Sequence, residues 1–416
     1  MNKTRAPADG WDTAALGEIA EVTMGQSPPS ATFNVAGEGL PFFQGVRDFN
    51  YRHPTARVFC SAPKRTAFPG DILLSVRAPI GRVNVADREC ATGRGIAIVR
   101  ARAPADGRFL EYVLRELEPS WVSLETSGSV FGNATRRDIE SLTLAWPRKQ
   151  SARAGIARVL GALDDKIELN RRMSETLDEM ARALFRAWFV DFNPVRAKTE
   201  GRPSGLPPDL DALFPASFEE SELGEIPAGW GVEDVYAVAE VIHGAPFSSK
   251  LFNEDRQGLP LIRIRDLRSG APRVFTDEIL PGARIVQPGR ILVGMDGEFR
   301  AYLWRGTPAY MNQRVCEFVE RPPVSRAFLL YGLEDLLREQ ELTKSATTVI
   351  HLLKRDIDEF RLVAPPAALH EYFRAQTDPL LALRVTMSED SRSLGALRDA
   401  LLPHLLSGEL RVRVRT

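Results

Sequence analysis

Cysteine and histidine are scarce in this sequence, which contains three of the first and five of the second among 416 residues. Neither set has the spacing of a disulfide framework or of a metal site. No run approaches the roughly 20 apolar residues that cross a bilayer. The three cysteines are Cys60, Cys90 and Cys316, and the five histidines are His53, His243, His351, His370 and His404. We therefore expect buried reduced thiols, isolated histidines at the surface or at helix caps, no bound metal, no membrane contact and a cytoplasmic location.

Sequence motifs of catalysis are also missing. No glycine-rich loop ends in Gly-Lys-Ser or Gly-Lys-Thr, the pattern that cradles nucleotide phosphates. The segment Asn193-Pro194-Val195 lacks the second proline and the aromatic residue of an amino-methyltransferase site. Asp296-Gly297-Glu298 has no downstream Glu-x-Lys of a nuclease and is typical of a turn. The chain is therefore predicted to be non-catalytic and to bind no cofactor itself.

Charge is unevenly distributed, although the net charge of the chain is only −1. Residues 40–102 contain eleven Lys or Arg against four Asp or Glu, a net of +7. Residues 198–225 contain two basic and seven acidic residues, a net of −5. Sorting of this kind allows a DNA-binding surface but does not demonstrate one.

The two halves of the sequence match each other at a nearly constant offset. Most matching segments are separated by 219 positions, as from Trp11 to Trp230, and the last by 218. A register held over so many positions indicates an internal duplication. The matching segments are Gly10-Trp11 and Gly229-Trp230, Gly39-Leu40-Pro41 and Gly258-Leu259-Pro260, Pro69-Gly70 and Pro288-Gly289, and Arg137-Asp138-Ile139 and Arg355-Asp356-Ile357.

Each repeat is predicted to begin with a globular α+β part. Short β-branched runs bounded by Gly, Pro or Arg indicate strands, and a short helix follows them. The predicted strands are residues 71–76 and 95–99 in the first repeat and 290–293 and 314–318 in the second, and the predicted short helices are residues 108–117 and 327–339.

Each repeat is predicted to end with a long helix, residues 150–188 in the first and the segment after Pro365-Pro366 in the second. Apolar residues recur every seven positions, which favours a coiled-coil seam, and Asn170 stands where a polar residue commonly fixes the register. An ordinary amphipathic core helix stays open as the alternative. The predicted seam is Ile156, Leu163, Asn170, Leu177 and Leu184 with Phe373, Leu380, Met387, Leu394 and Leu401, flanked by Leu160, Ile167, Ala181, Leu383 and Leu397.

Polar side chains beside turns are the candidate DNA contacts. Arg, Gln and Asn are the residue types that recognise guanine and adenine edges, while Ser, Thr and basic pairs suit phosphates. A solvated or ion-paired surface role stays open for each arginine. The candidates for base contacts are Gln44, Arg47, Arg77, Arg82, Arg263, Arg265, Arg268, Asn312, Gln313 and Arg314, and Lys64 and Arg65 are further candidate DNA contacts. Those for phosphate contacts are Ser127, Ser129, Arg136, Arg137, Thr347, Thr348, Lys354 and Arg355.

Residues 163–173 (Leu-Asp-Asp-Lys-Ile-Glu-Leu-Asn-Arg-Arg-Met) and 187–192 (Ala-Trp-Phe-Val-Asp-Phe) resemble the central conserved region of type I restriction-modification specificity subunits. Residues 401–410 resemble the C-terminal signature of that family, and residues 69–97 and 291–315 look like the cores of its target recognition domains. The family's Pro-Pro-x-x-Glu-Gln start of the first long helix is replaced by Pro-Arg-Lys-Gln at residues 147–150. The resemblance covers essentially the whole chain.

This resemblance implies an α+β fold in which two target recognition domains of mixed or antiparallel β structure are separated by an antiparallel two-helix coiled coil, with an internal pseudo-twofold repeat. The implied segments are a first recognition domain at residues 1–147, a central conserved helix at 148–197, an acidic Pro- and Gly-rich linker at 198–226, a second recognition domain at 227–364 and a C-terminal conserved helix at 365–416.

The resemblance also implies the partners. Each recognition domain would read one half of a split, asymmetric site in duplex DNA, and the helix pair would set the spacer. Two modification subunits would bind S-adenosylmethionine and methylate adenine, while motor-nuclease subunits would use ATP and Mg²⁺. An orphan specificity-like DNA-binding module and a coiled-coil scaffold without a DNA role stay open as alternatives.

Overall fold

The computed structural model describes residues 9–121, 133–344 and 350–412 and contains two compact units. Unit 1 comprises Met1–Glu168 and Ser393–Thr416, and unit 2 comprises Leu169–Arg392. Two 40-residue helices, Gln150–Phe189 and Ala367–Leu406, contribute to both units. The contacts therefore divide each long helix between the units, whereas the sequence-based segments treated each helix as a region of its own.

Unit 1 consists of three sheets and the helices that cover them. A four-stranded antiparallel sheet has the order β2-β10-β7-β8, a five-stranded sheet has the order β3-β5-β4-β9-β6 with β4 and β9 parallel, and β1 pairs with β11. The strands are β1 Trp11–Ala15, β2 Ala20–Met24, β3 Phe33–Asn34, β4 Leu40–Phe43, β5 Phe59–Cys60, β6 Thr66–Ala67, β7 Ile72–Ser75, β8 Val83–Val85, β9 Cys90–Thr92, β10 Ile96–Ala101 and β11 Thr143–Pro147. The helices are α1 Leu16–Ile19, α2 Gly107–Glu116, α3 Arg136–Glu140 and the first part of α4 Gln150–Phe189.

Strand β7 shows why the four-stranded sheet of unit 1 forms where it does. Its side chains alternate between two apolar cores, as expected for a strand that is covered on both faces. Ile72 and Leu74 contact the core that includes Phe109 of α2, and Leu73 contacts the core that includes Phe43 of β4. Every residue of the strand is buried, so the continuous apolar run in the sequence corresponds to a central strand.

Unit 2 has a corresponding set of sheets. A four-stranded antiparallel sheet has the order β15-β22-β19-β20, a second sheet has the order β17-β16-β21-β18 with β16 and β21 parallel, and β14 pairs with β23. The strands are β12 Phe218–Ser221, β13 Gly224–Pro227, β14 Gly231–Asp234, β15 Ala239–His243, β16 Leu259–Ile262, β17 Phe275–Thr276, β18 Ile285–Val286, β19 Ile291–Gly294, β20 Ala301–Leu303, β21 Ala309–Met311, β22 Val315–Glu320 and β23 Arg361–Ala364. The further helices are α5 Asn193–Thr199, α6 Pro208–Asp211, α7 Val235–Val238, α8 Ile264–Leu267, α9 Arg326–Lys344, α10 Lys354–Ile357 and α11 Ala367–Leu406. The α+β class expected from the sequence is confirmed.

Residues 198–226 are folded onto unit 2, so the prediction of a linker at this place is wrong. They form α6 and the antiparallel hairpin of β12 and β13. Leu210, Phe214 and Ile226 are each buried in the apolar core of the unit. The many prolines and acidic residues of the segment lie at its surface and obscure three well-spaced apolar anchors in the sequence.

The two long helices contact each other in antiparallel orientation within each unit. In unit 1 the guanidinium of Arg398 on α11 lies 2.6 Å from the carboxylate of Asp164 on α4. In unit 2 the amide nitrogen of Asn170 donates to Asp390 at 2.7 Å, and Phe189 contacts Phe373 with a ring-centroid separation of 5.0 Å. The residue numbers of the contacting residues therefore decrease along α11 as they increase along α4.

The buried faces of these helices differ from the predicted seam. Within α4 one row of buried residues is Leu160, Ile167, Ser174, Ala181 and Trp188. The sequence analysis placed three of them, Leu160, Ile167 and Ala181, beside the seam. Of the predicted seam, Ile156, Asn170, Phe373 and Met387 are buried, whereas Leu163, Leu177, Leu184, Leu380, Leu394 and Leu401 are partly exposed.

Leu383 and Leu397 are 41% and 49% exposed, so their predicted place beside the seam is wrong. A seven-residue ladder assumes one partner helix. Here α2 and α9 also pack on α4 through Tyr112 and Tyr331, which displaces the buried face.

Six backbone hydrogen bonds hold together the loops at one end of each four-stranded sheet. In unit 1 the bonds are 2.8–3.1 Å long and run from N–H to carbonyl as Gly25 to Ile96, Gln26 to Thr92, Gly93 to Phe43, Ile96 to Gly93, Val76 to Gly95 and Ala134 to Val76. In unit 2 they are 2.8–3.0 Å long and run as Gly244 to Val315, Ala245 to Met311, Asn312 to Ile262, Val315 to Asn312, Met295 to Arg314 and Leu352 to Met295. Each bond recurs 219 positions later, or 218 for the last donor. The two loop ends therefore have the same backbone construction.

Gly95 lies at the tightest point of this construction in unit 1. A Cβ atom at this position would lie 2.1 Å from the carbonyl oxygen of Gln44. We predict that Gly95→Ala lowers the free energy of unfolding by on the order of 2 kcal/mol, because the two backbone segments must separate. Gly107→Ala is the matched control, since its Cβ would meet nothing within 4 Å. Denaturant unfolding measures both, and equal stability of the two variants would contradict the prediction.

His370 is buried between aromatic rings, so its prediction as a surface or cap histidine is wrong. It is 4% exposed, and its ring centroid lies 4.7 Å from that of Phe328 and 6.4 Å from that of Phe189. Burial first, and the guanidinium of Arg374 second, lower the pKa of His370 to about 4. The neutral imidazole is therefore the form that the fold accommodates.

This burial predicts acid sensitivity of unit 2. Because the folded-state pKa of His370 is about 4 and the ordinary value is about 6.5, stability is fully present above about pH 6.5 and falls as the pH decreases toward 4. The expected loss is about 3 kcal/mol. His370→Phe should remove this pH dependence in unfolding experiments between pH 7 and 4, whereas His243→Phe, at an exposed position, should retain it. An unchanged profile for His370→Phe would contradict the assignment.

Candidate nucleic-acid interface

The loop end of unit 1 presents four exposed polar side chains on adjoining backbone segments. Gln44 follows β4, Arg77 follows β7, Arg94 precedes β10, and Asn133 pairs with Arg77 as an isolated antiparallel bridge. The six backbone hydrogen bonds described above join these segments. We call this group edge 1. Its side chains combine a guanidinium fork with amides, which are the groups that recognise guanine and adenine edges.

Four other predicted DNA contacts of unit 1 lie outside edge 1. Arg47 is exposed and lies 3.6 Å from Asp48, in a turn that follows Gln44. Arg82 lies beyond β7 and pairs with Glu118 at 3.1 Å. Lys64 and Arg65 precede β6 and are exposed. Of the sequence-based candidates, the structure thus brings only Gln44 and Arg77 onto edge 1.

Helix α3 begins three residues after Asn133 and carries two predicted phosphate contacts. The Thr135 backbone N–H donates to the Asp138 carboxylate at 2.8 Å, while the Thr135 hydroxyl accepts from the Asp138 N–H at 3.3 Å. This capping box places Arg136 and Arg137 in the first turn, both exposed. Arg136 pairs with Glu140 at 2.8 Å. Ser127 and Ser129 lie outside the described residues.

The loop end of unit 2 presents a different set of side chains on the same backbone construction. The side chains differ at five equivalent positions: unit 2 has Arg263 for Gln44, Asp296 for Arg77, Gln313 for Arg94, Arg314 for Gly95 and His351 for Asn133. Asp296 and His351 form an isolated antiparallel bridge, as Arg77 and Asn133 do. We call this second group edge 2.

In edge 2, side chains of His and Arg contact carboxylates. The Nδ1 atom of His351 lies 2.6 Å from Oδ1 of Asp296, and Nε of Arg314 lies 3.4 Å from Oδ2 of the same carboxylate. The Nε atom of Arg263 lies 3.3 Å from Asp266, which also accepts the Arg263 backbone N–H at 3.0 Å. Edge 2 thus presents cations whose positions are fixed by carboxylates.

The remaining candidates of unit 2 surround edge 2 in the sequence. Asn312 is half-buried and braces Arg314, whose backbone N–H donates to its side-chain oxygen at 3.3 Å. Arg265 on α8 and Arg268 after it are exposed. Lys354, which pairs with Asp358 at 2.9 Å, and Arg355 lie on α10 and are exposed. Thr347 and Thr348 lie outside the described residues.

Sequence analysis did not select four members of the edges, namely Arg94, Asn133, Asp296 and His351. Asp296 was interpreted as part of a turn, and Gly297 does have a left-handed φ of 78°. The offset of 219 positions was the signal that could have found two of them, since it pairs Arg94 with Gln313 and Asp296 with Arg77.

Catalytic thiols, metal clusters and membrane-spanning helices were sought among the described residues. Burial raises the pKa of both Cys90 and Cys316 to about 12, so their thiols are not poised as nucleophiles. No group of three or more His, Cys, Asp or Glu residues in the described ranges could hold a metal ion. Among the helices that the structure describes, none is long and apolar enough to cross a membrane.

Comparison with known proteins shows what this chain is similar to. Residues 8–179 match the model of the type I restriction modification DNA specificity domain. The type I restriction enzyme MjaIX specificity subunit of Methanocaldococcus jannaschii is 24% identical over 98% of this chain and 95% of its own length. The MjaX specificity subunit of that organism is 33% identical over 194 residues, which are 46% of this chain and 45% of the relative. The EcoBI specificity subunit of Escherichia coli is 32% identical over 42% of this chain and 38% of its own length.

The fold is also that of a solved specificity subunit. The crystal structure of the type I restriction-modification S subunit from M. genitalium aligns with 100% of this chain and 99% of its own with a TM-score of 0.59, at 13% identity. This chain spans less than half the length of the MjaX and EcoBI subunits, whereas it matches the MjaIX subunit and the crystal structure over 95% and 99% of their lengths. Along nearly its whole length, this chain is therefore similar to type I restriction-modification DNA specificity subunits.

Proposed function

We propose that this chain selects the DNA sequence on which a type I restriction-modification complex acts. Unit 1 reads one half of a split, asymmetric site through edge 1, and unit 2 reads the other half through edge 2. The observation that carries this proposal is the presence of two loop ends with the same six backbone hydrogen bonds and different base-recognising side chains. Two domains that recognise different sequences can share one backbone arrangement, provided that the side chains at the contact positions differ.

The side chains at equivalent positions support two different half-sites. Gln44 in edge 1 is replaced by Arg263 in edge 2, and Arg94 by Gln313. Amides prefer adenine and guanidinium groups prefer guanine, so these exchanges change the bases that can be read.

In this proposal α4 and α11 form an antiparallel coiled coil with pseudo-twofold symmetry between the repeats, and this coil fixes the spacer. The antiparallel contacts within each unit support the pairing. A helix of 40 residues is about 60 Å long, at about 1.5 Å per residue. A rigid ruler of this kind admits half-sites at only one separation.

We further propose that the chain itself is not an enzyme and works with partner subunits. Two modification subunits bind S-adenosylmethionine and methylate adenine, and motor-nuclease subunits use ATP and Mg²⁺. Leu169, Met173 and Met180 on α4 are 50%, 40% and 55% exposed, an apolar surface that suits docking of a partner helix. An assembly that acts on chromosomal and incoming DNA works in the cytoplasm, the location that we propose.

Methylome sequencing tests the reading of DNA. The chain is expressed with type I modification subunits from its own source organism in a host that lacks adenine methylation, and we expect one bipartite methylated motif. Arg77→Ala should make one base position of one half-site degenerate, with a loss of discrimination of about 1–3 kcal/mol, and leave the other half-site intact.

Two controls accompany this experiment. Arg338→Ala, at an exposed arginine of α9, should leave the motif unchanged. The chain without modification subunits should give no methylation. A motif that does not depend on this chain, or one that Arg77→Ala relaxes in both halves, would contradict the proposal.

A heptad insertion tests the ruler. Seven residues added to α4 after Met173, with seven added to α11 after Met387, lengthen the paired helices by about 10 Å. We expect a spacer that is longer by about three base pairs, at about 3.4 Å per pair, with both half-site sequences unchanged. Insertion of three residues at the same places is the control, since it breaks the register and should abolish methylation. Altered half-site sequences after the heptad insertion would show that the helices do more than measure.

A further inference from the structure

We propose that Arg314 is the side chain with which unit 2 recognises a guanine, and that Asp296 is the positioning residue that aims its guanidinium. This inference rests on the proposed function, since it assigns one base contact within the half-site that edge 2 reads.

The backbone of Arg314 is held on both sides. Its N–H donates to the side-chain oxygen of Asn312 at 3.3 Å, and its carbonyl accepts the N–H of Met295 at 2.9 Å. Val315, the next residue, is fully buried and begins β22. The Arg314 side chain is nevertheless 56% exposed. A fixed Cα with a free side chain is the arrangement that a base-contacting residue needs, because little ordering remains to be done on binding.

The contact with Asp296 leaves the two terminal nitrogens of Arg314 available for a base. It involves Nε of Arg314, at 3.4 Å from Oδ2. Among the described residues no hydrogen bond is formed by either terminal nitrogen of Arg314. End-on recognition of guanine uses both terminal nitrogens, one toward O6 and one toward N7. A carboxylate at Nε therefore restricts the plane of the fork without occupying its tips.

Asp296 is itself rigidly placed. Its preceding residue, Met295, is bonded to Arg314, and its following residue, Gly297, donates its N–H to Ile350 at 3.0 Å with a left-handed φ of 78°. The second carboxylate oxygen, Oδ1, lies 2.6 Å from Nδ1 of His351. With one oxygen held by the imidazole, the other is presented to Arg314 in a single orientation.

Edge 1 cannot make this contact. The counterpart of Arg314 is Gly95, where even a Cβ atom would meet the carbonyl oxygen of Gln44 at 2.1 Å. The counterpart of Asp296 is Arg77, a cation where edge 2 has an anion. The proposed guanine contact is therefore specific to the half-site of unit 2.

The test uses the full chain in its complex with the modification subunits, and the readout is the base composition at each position of the methylated motif. Arg314→Ala and Arg314→Lys should each make one guanine position of one half-site degenerate, with discrimination reduced about 10-fold to 100-fold. Lysine keeps the charge but lacks the planar fork, so its failure to rescue separates fork recognition from simple attraction. The same guanine should become partly degenerate, by about 5-fold to 10-fold, in Asp296→Asn, which keeps the shape but loses the ion pair.

The variants Arg77→Ala and Arg338→Ala are the matched controls, and neither should affect that guanine. The inference is overturned if the Arg314 variants leave the motif unchanged while the wild-type complex gives a bipartite motif, and the proposed function then still stands. It is also overturned if Asp296→Asn lowers methylation at all sites equally without degeneracy at one base, which would mark Asp296 as merely structural. Absence of any motif from the wild-type complex would overturn the proposed function and the inference with it.

Discussion

The buried carboxylate of Asp164 connects the elements on which the arrangement of unit 1 depends. It is fully buried on α4 and accepts hydrogen bonds from the hydroxyls of Tyr112 at 2.7 Å and Tyr51 at 3.0 Å, and it pairs with Arg398 of α11 at 2.6 Å. Burial alone would raise the pKa of Asp164, but the guanidinium of Arg115 and these donors outweigh it and lower that pKa. Because Tyr51 lies in the loop that continues from Gln44, the loop of edge 1 is fixed to the long helix through this carboxylate.

Unit 2 uses the same chemistry at a different place on the helices. Asp178 of α4 lies 2.6 Å from the guanidinium of Arg384 on α11 and accepts the hydroxyl of Tyr331 at 3.0 Å. Tyr331 stands 219 positions after Tyr112, so equivalent tyrosines of the two repeats donate to the two carboxylates. In each unit the carboxylate comes from α4 and the arginine from α11. A pairing of α4 with a second α4 would deprive each carboxylate of its α11 arginine, which is unfavourable.

Much of the architecture could be predicted from the sequence because it follows from local patterns. Strand β7 and helix α4 were expected within a residue or two of their observed ends, since a continuous apolar run and a long heptad pattern are unambiguous. The buried face of α4 was misplaced because its most buried row includes Ser174, and Asp164 beside it is fully buried as well. Polar residues at such positions are stabilised by partners that are distant in sequence, and no periodicity reveals them.

The candidate site was less predictable, for a related physical reason. Its members come from segments that are joined only by long-range backbone hydrogen bonds, so residue type alone could select Arg314 but not the Asp296 that holds it. The duplication does supply the missing information about position, because the same six bonds recur in both units. The duplication supplies no information about which side chain stands at each equivalent position. At one backbone position unit 1 has Gly95, which carries no Cβ atom, and unit 2 has Arg314, although the same six backbone hydrogen bonds surround both residues.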